Sequence, residues 1–196
     1  MSEYFTRLLK SINDSINNLD HETFERLVSE SIETLSKGNR IIVSGLGKNV
    51  PICEKYVGTM LSLGLNAAFM HTNTAIHGDL GLVNKGDLVI VLTKSGETRE
   101  SAILLDALKP KNANLWLITF NKNSSLRTKV EETLVLSLDH EGDLWNMVPN
   151  NSTTLYLIVL QALAIRISED LNIKIEQFRV NHPGGNIGER LRYEKN

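Results

Sequence analysis

Apolar residues recur at helical spacing in the first part of the chain and gather into short continuous runs after it. Residues 4–19 place their apolar side chains on one helical face, and a second stripe of the same kind follows Asp20. Asp20 is a candidate N-cap for that stripe, and Gly38 follows it as a residue that adopts the left-handed backbone of a helix end at little cost. The spacing therefore predicts two amphipathic helices before residue 39.

Beyond residue 39, continuous apolar runs alternate with helical stretches. The predicted strands cover residues 41–43, 66–70, 87–93, 114–120 and 133–137, and the predicted helices cover residues 51–63, 97–108 and 152–170. Ser152 or Thr153 is the expected cap of the last helix. Runs without polar alternation indicate strands buried on both faces, and regular separation by helices indicates parallel crossover connections. The pattern predicts an α/β fold, a three-layer α-β-α sandwich around a central five-stranded parallel sheet.

The length of 196 residues suits one domain with a sizeable core better than two small ones. We expect a single domain over residues 1–196, with N-terminal helices at 1–38, the α-β-α core at 39–170 and a tail at 171–196 that reaches the active site. No internal repeat or low-complexity tract divides the chain.

Composition narrows the class of protein without identifying it. Apolar residues make up 41% and charged residues 22% of the chain, which excludes a disordered, collagen-like or coiled-coil protein. The net charge of −2, with scattered Lys and Arg, offers no basic stripe for nucleic acid. Cys53 stands alone, which excludes an internal disulfide and favours a reducing compartment. Since no secretory leader or run of ~20 apolar residues is visible, we expect a cytoplasmic protein without a membrane or nucleic-acid partner.

Two turns at the carboxyl ends of predicted strands carry the candidate binding chemistry, because ligands of parallel sheets bind beyond those ends. The segment Ser44–Lys48 places glycines between a strand and a helix, and the segment Thr93–Thr98 places three hydroxyls and a glycine at a helix start. Short donors and free backbone N–H groups suit a phosphate monoester; the alternatives are a tight turn and an ordinary N-cap at Ser95. The predicted phosphate contacts are Ser44, Gly45, Thr93, Lys94, Ser95, Gly96, Thr98 and Ser152.

Further segments carry candidate acid–base groups. His77 lies in a loop that leaves the sheet, where a histidine suits proton transfer, although a structural or merely exposed histidine is the commoner case. Glu100 follows Glu97 by three residues on one edge of a predicted helix, and His182 opens a glycine-rich tail segment. Residue types that bind metals occur at His71, His77, Asp79 and His182. No spacing requires a metal, so none is expected, and His77 and His182 are the candidate ligands if one binds.

Together these segments resemble the sugar isomerase (SIS) domain family, over residues from about 20 to 191. The run Thr93–Thr98 resembles the phosphosugar-binding loop found across that family. Segments 45–48, 77–81, 152–154 and 182–188 narrow the resemblance to the D-arabinose 5-phosphate isomerases, in a single-domain form without CBS modules. The resemblance implies the SIS fold, which is flavodoxin-like, a phosphosugar substrate and no cofactor.

The resemblance also implies roles for residues that match the motifs of the family. The implied functional positions are Lys48, His77, Glu100, Glu141 and His182. Glu141 is placed by counting back from Pro149, across residues that diverge from the family. Residues 49–51, Asn-Val-Pro, stand where the family usually has Ser-Gly-His, which bears on substrate preference.

The reaction that the resemblance implies is the interconversion of D-arabinose 5-phosphate and D-ribulose 5-phosphate through a cis-enediol(ate). One carboxylate, Glu141 or Glu100, would carry the proton between C2 and C1, with its pKa raised by burial. A histidine would move the hydroxyl proton, and Lys48 would stabilise the enediolate oxygen. The alternatives are an isomerase of another phosphosugar, such as a hexulose 6-phosphate, and a non-catalytic sugar-phosphate sensor.

Assembly is expected as well. The N-terminal helices and the tail carry more apolar surface than one sandwich covers, and members of the family are homo-oligomers. We expect a homotetramer with active sites near the subunit interfaces, where His182 acts from a neighbouring chain.

Overall fold

Five parallel strands form the centre of the fold in the computed structural model, which describes residues 2–193. They are β1 (Ile41–Gly45), β2 (Ala67–His71), β3 (Leu88–Leu92), β4 (Asn114–Thr119) and β5 (Glu132–Val135), paired in the order β2-β1-β3-β4-β5. The predicted parallel sheet is confirmed, and each predicted strand overlaps an observed one. Residue 1 and residues 194–196, which we assigned to the N-terminal helices and the tail, lie outside the described residues.

Helices cover both faces of this sheet. They are α1 (Ser2–Asn17), α2 (His21–Ser36), α3 (Val50–Ser62), α4 (Arg99–Leu108), α5 (Asn151–Asp170), α6 (Ile175–Asn181) and α7 (Gly185–Tyr193). Successive strand residues pack to opposite sides: Ile41 and Val43 pack with α2, α3 and α5, whereas Ile42 and Val91 pack with α4. Every residue of β1 and β3 is buried, as continuous apolar runs predict. The three-layer α-β-α sandwich is confirmed.

The residues that predicted the two ends of α2, Asp20 and Gly38, lie at those ends in the structure. The Asp20 carboxylate accepts hydrogen bonds from the Thr23 N–H at 3.1 Å and from the Thr23 hydroxyl at 2.6 Å, which caps the first turn. Gly38 follows the helix with a φ of +79°, in the left-handed region. Both predictions are confirmed.

The strand order reverses beside β1, and this reversal determines where a ligand can bind. The chain leaves β1 to form β2 on one side and then returns to form β3 on the other side. The connections after β1 and β3 therefore diverge and open a crevice beyond the carboxyl ends of the strands. The two predicted turns, Ser44–Lys48 and Thr93–Thr98, lie at this crevice.

The start of α5 differs from the prediction. Ser152 and Thr153 both lie inside the helix, and neither caps it. Instead, the Glu141 carboxylate accepts the N–H groups of Asn150 at 3.0 Å and of Ser152 at 2.9 Å, together with the Ser152 hydroxyl at 2.5 Å. A carboxylate thus satisfies the donors that a hydroxyl was expected to satisfy, and its charge is favourable at the positive end of the helix dipole.

The Glu141 side chain is fully buried, and its only charged partner among the described residues is Lys94, whose Nζ lies 2.6 Å from Oε1. Burial by itself raises the pKa of this carboxyl, but the hydrogen bonds from Lys94, Ser152 and the start of α5 outweigh it and lower the pKa below its ordinary value of 4.5. A carboxyl whose pKa is lower in the folded chain contributes stability that is complete above the unfolded value and is lost as the pH falls through the folded value.

We therefore expect the free energy of unfolding to fall as the pH drops below about 4.5. Glu141→Gln should flatten this dependence and cost about 1–3 kcal/mol near neutral pH, because its amide group cannot accept the same hydrogen bonds. Urea unfolding of both proteins between about pH 3 and 7 measures both effects. Glu169→Gln, at an exposed position of α5, is the matched control. An equally steep pH dependence in Glu141→Gln would contradict the prediction.

Candidate active site

The crevice contains an open cleft of about 650 Å³ at the carboxyl ends of the central strands. Its lining comes from the turn after β1 (Leu46, Gly47, Asn49), the turn after β3 (Thr93, Lys94, Ser95, Thr98), α4 (Ser101) and residues beyond β4 and β5 (Phe120, Leu138). Both turns that the sequence singled out thus border a single cleft.

Three consecutive carbonyls in the turn after β3 are held by side chains at the end of β4 and in the segment that follows it. The Thr119 hydroxyl donates to Lys94 O at 3.1 Å, the Asn121 amide to Ser95 O at 2.8 Å and the Ser124 hydroxyl to Gly96 O at 2.6 Å. In a trans peptide the N–H points opposite to the carbonyl, so the loop N–H groups turn away from these donors. Among the described residues, the N–H groups of Ser95 and Gly96 have no acceptor. They are available to an anion.

Gly96 and Glu97 make further contacts between this loop and the segment that follows β4. Gly96 has a φ of +62°, and a Cβ there would lie 2.2 Å from the Ser124 hydroxyl oxygen, so a side chain at this position would break the contact. The Glu97 carboxylate accepts the Ser125 N–H at 2.6 Å and its hydroxyl at 2.5 Å, and these hydrogen bonds lower the pKa of Glu97. Side chains from β4 and the segment after it thus hold this loop in place.

The helix after this loop begins without a side-chain cap. It starts at Arg99, two residues later than predicted, and the Thr98 hydroxyl pairs with the Thr93 hydroxyl at 2.9 Å instead of capping it. The Ser95 hydroxyl accepts the Glu97 N–H at 3.2 Å, as an N-cap would, but Thr98 occupies the N-cap position of α4, so the predicted N-cap at Ser95 is wrong. Within residues 2–193, no side chain satisfies the first-turn N–H groups of α4, which adds further free donors at its positive end.

The residues predicted in the turn after β1 lie in different places: some are buried in the core, and others are exposed at the cleft. The Ser44 hydroxyl is buried and bonds to the Thr72 hydroxyl at 2.9 Å, so it packs between strands instead of facing the cleft. Gly45 allows the chain to turn closely, because a Cβ there would lie 2.9 Å from Asn49 Cβ. Lys48 is exposed on the short turn Gly47–Asn49, and the Asn49 amide anchors that turn to the Leu92 carbonyl at 3.3 Å.

Two of the predicted phosphate contacts, Lys94 and Ser152, bind the Glu141 carboxylate instead, through the Lys94 ammonium and the Ser152 hydroxyl. Its pKa is lowered, so the expectation that burial raises the pKa of the catalytic carboxyl is wrong for Glu141 in this state. Burial of the carboxylate raises its pKa, but the hydrogen bonds from four donors lower the pKa by more.

Glu100 and His77 have fewer contacts. Glu100 is half-buried in the first turn of α4, and its carboxylate has no hydrogen-bond or ion-pair partner among the described residues. The turn Ala75–His77 contacts α4, and His77 is exposed on it. Nearby, the Thr74 hydroxyl donates to Asp79 at 2.8 Å, and His71 accepts the Asn73 N–H at 3.2 Å.

His182 lies at the other end of the subunit. It stacks on Phe178 with ring centroids 3.9 Å apart, and the adjacent Asn181 donates to the carbonyl of Ser62 at 3.3 Å. Ser62 ends α3, which runs from the cleft back to the amino ends of the strands over a length of about 20 Å. One chain therefore does not bring His182 to Lys48, His77 and Glu100.

Sequence reasoning missed the side chains that hold the phosphate loop, those of Thr119, Asn121 and Ser124. A signal was present for Asn121 and Ser124, because the polar run 121–125 directly follows the predicted strand 114–120 and therefore lies at the same edge of the sheet as the loop. Thr119 is the last residue of β4 itself. Across residues 2–193, no cluster of three or more His, Cys, Asp or Glu side chains could hold a metal ion. Over the same range, none of the helices has the length and apolar character to cross a membrane.

Comparison with known proteins agrees with this geometry. The SIS domain model matches residues 34–166. The chain is 34% identical over 178 residues to the arabinose 5-phosphate isomerase KdsD of Pseudomonas aeruginosa, and 33% identical over 189 residues to the protein of that name from Francisella tularensis. These alignments cover 91% and 96% of this chain but 55% and 58% of the relatives, so the chain spans little more than half of their length.

The solved structures include a protein of similar length. The structure of E. coli CFT073 c3406 in complex with arabinose 5-phosphate matches with a TM-score of 0.85 and 29% identity, over 93% of this chain and 95% of that one. The family match covers most of the α-β-α core and both turns at the cleft. The chain belongs to the SIS domain family.

Proposed function

We propose that the protein is an aldose–ketose isomerase that interconverts D-arabinose 5-phosphate and D-ribulose 5-phosphate. The observation that carries this proposal is the loop 94–98, whose free N–H groups and hydroxyls border the cleft at the uncapped start of α4. Such a cradle suits a phosphate dianion. Similar proteins are named arabinose 5-phosphate isomerase, and one similar structure is a complex with arabinose 5-phosphate, which favours the same sugar here.

The reaction follows from what the residues around the cleft can do. The loop holds the phosphate, and the open-chain sugar extends toward the turn Gly47–Asn49. A carboxylate removes the proton from C2, the electrons of that bond form the cis-enediolate, and the same carboxylate returns the proton to C1. His77 passes the proton of the C2 hydroxyl to O1, while Lys48 stabilises the negative charge on the enediolate oxygen. No cofactor takes part, because the reaction only moves protons.

Glu100 and Glu141 are the two candidates for the proton shuttle, and their surroundings differ. Glu100 is half-buried and has no hydrogen-bond or ion-pair partner among the described residues, so no such contact has to break before it acts as a base. Glu141 is fully buried and holds Lys94, Ser152 and the N–H of Asn150. Glu141 therefore has to give up a partner before it can act as a base.

The assembly supplies the missing histidine in this proposal. Large apolar side chains are exposed on α1, on the loop after Glu141 and on the two C-terminal helices: Tyr4, Phe5, Leu9, Leu144, Trp145, Met147, Val180 and Ile187. Exposed apolar surface of this extent is typical of subunit contacts. We infer a closed homotetramer in which His182 of one chain completes the cleft of its neighbour.

The direct test incubates the protein with D-arabinose 5-phosphate in deuterium oxide. We expect ribulose 5-phosphate to form and deuterium to enter at C2 of the aldose, since the shuttled proton exchanges with solvent. Exchange and turnover with a hexulose 6-phosphate, but not with the pentose phosphates, would favour the other isomerase. Phosphosugar binding without any exchange would favour a sensor and contradict the proposal.

Glu100→Gln and Glu141→Gln separate the two candidate bases, because Gln keeps the shape and removes the basicity. The variant of the true shuttle should lose about 10²–10⁴-fold in kcat with little change in KM, and it should also lose the deuterium exchange. The other variant should lose less, as expected for a residue that only orients its neighbours. Normal turnover in both variants would exclude both carboxylates and make His77 the leading base.

Ser95→Ala tests the phosphate loop. The hydroxyl lies beside the free N–H groups, and a hydrogen bond to a charged group is worth about 1.5–3 kcal/mol. We therefore expect KM for the phosphosugar to rise about tenfold or more while kcat changes less. Ser168→Ala, near the far end of α5, is the matched control. An unchanged KM in Ser95→Ala would remove this hydroxyl from the binding site.

Complementation between subunits tests the placement of His182. Chains with the Gln variant of the shuttle carboxylate, Glu100 or Glu141, and chains with His182→Ala should each be weakly active, and mixed assemblies should regain activity, since some clefts then combine an intact shuttle with an intact His182. Light scattering of each protein measures the assembly in parallel. A fully active monomer, or mixed assemblies with no more activity than their parents, would contradict the proposal.

A further inference from the structure

Lys94 belongs to the proposed phosphate loop, but its ammonium group is paired with the Glu141 carboxylate. The backbone carbonyl of Lys94 accepts the hydroxyl of Thr119 at the end of β4, whereas its Nζ lies 2.6 Å from Glu141 Oε1. The two partners differ in access to solvent: the side chain of Lys94 is 44% exposed and that of Glu141 is 0% exposed. The pair thus joins a partly exposed cation to a buried anion.

Glu141 does not depend on Lys94 alone for its hydrogen bonds. Two N–H groups at the start of α5 and the Ser152 hydroxyl bind the carboxylate as well, at 3.0, 2.9 and 2.5 Å. These three donors belong to ordered backbone or buried side chain. Lys94 is the partner that can leave, because a lysine side chain has a flexible four-carbon stem and lies here at the edge of the cleft.

The other titratable groups around Glu141 have different partners. Tyr156 of α5 is buried, and its pKa is raised by burial and by the charge of Glu141; its hydroxyl donates to the Ile118 carbonyl at 3.2 Å. In the loop that follows Glu141, the Asp143 carboxylate accepts the backbone N–H groups of Trp145, Met147 and Val148, and the His140 ring accepts that of Gly142. Within the described residues, Lys94 is therefore the charged group that links Glu141 to the cleft.

We propose that Lys94 is a positioning residue that a phosphate dianion draws away from Glu141, so that substrate binding frees the Glu141 carboxylate to act as a base. This inference rests on the proposed function of the loop as a phosphate site. The dianion and Glu141 compete for one ammonium group, and the free N–H groups of Ser95 and Gly96 hold the anion on the same loop as Lys94. Because coupling between sites is reciprocal, Glu141 must in turn weaken phosphate binding.

The competition between the dianion and Glu141 for Lys94 can be tested by binding alone, without catalytic turnover. Inorganic phosphate is titrated calorimetrically into the wild type, Glu141→Gln, Lys94→Met and the double variant, at about pH 8 where phosphate is mainly a dianion. We expect Glu141→Gln to bind phosphate about fivefold tighter or more, and Lys94→Met to bind it more weakly. In the Lys94→Met background, Glu141→Gln should change the affinity less than about twofold, because the ammonium group for which they compete is gone.

Controls separate this inference from the proposed function. Lys37→Met removes a lysine that pairs with Glu33 at 2.5 Å at the end of α2, away from the cleft, and should leave phosphate binding unchanged. If the wild type binds no phosphate, the phosphate site and this inference both fail. If it binds phosphate but Glu141→Gln has the same effect with and without Lys94, only the coupling is wrong.

A second measurement covers the case in which Glu141→Gln does not fold. Sulfate, which stays a dianion at mildly acidic pH, is titrated into the wild type and Lys94→Met in buffers of different ionisation enthalpy. The wild type should take up more protons than Lys94→Met, because loss of Lys94 to the anion leaves Glu141 easier to protonate. Equal proton uptake by the two proteins would overturn the inference.

Discussion

The arrangement of the cleft depends on one buried carboxylate. Glu141 satisfies the N–H groups at the start of α5, receives the Ser152 hydroxyl and pairs with Lys94 of the loop after β3. It therefore joins the longest helix to the loop on which we place the phosphate. Loss of the carboxylate would leave buried N–H donors unpaired, which costs more than the net worth of the bonds themselves. The same residue thus governs both the start of α5 and the electrostatics of the cleft.

The topology of the sheet supplies the second constraint. Since β1 lies between β2 and β3, the connections after β1 and β3 diverge, and an anion site forms wherever one of them offers free N–H groups. The side chains of Thr119, Asn121 and Ser124 hold the loop carbonyls and so leave its N–H groups unpaired on the other side. Donors held in place in this way need no reorganisation when the anion arrives, which is the form of electrostatic stabilisation that binding and catalysis use best.

Local patterns in the sequence predicted the strands and most helix ends. The features that they missed, the start of α5 and the position of His182, depend on contacts between residues far apart in the sequence. Continuous apolar runs located β1, β3 and β4 because burial on both faces suppresses alternation, whereas the edge strands β2 and β5 are only partly buried. Asp20 caps α2 because its partner lies only three residues away. The rule that a nearby hydroxyl caps a helix failed at α5, where the capping carboxylate lies eleven residues from Ser152. The segment between them has turn residues, such as Gly142, Asp143 and Pro149, but no periodicity, and no local pattern indicates which carboxylate reaches the start of α5. The position of His182 likewise depends on packing of α6 against the end of α3.

The position of His182 also bears on why a single chain does not suffice for the proposed chemistry. The cleft is open to solvent, where charges are screened and an enediolate is exposed to water. Besides those on α1, exposed apolar side chains lie on the loop directly after Glu141 and on the helices around His182, at opposite ends of the folded chain. In the assembly that we propose, the surface with the histidine of one chain meets the cleft of its neighbour. Such an assembly would supply both a proton-transfer group and the exclusion of water.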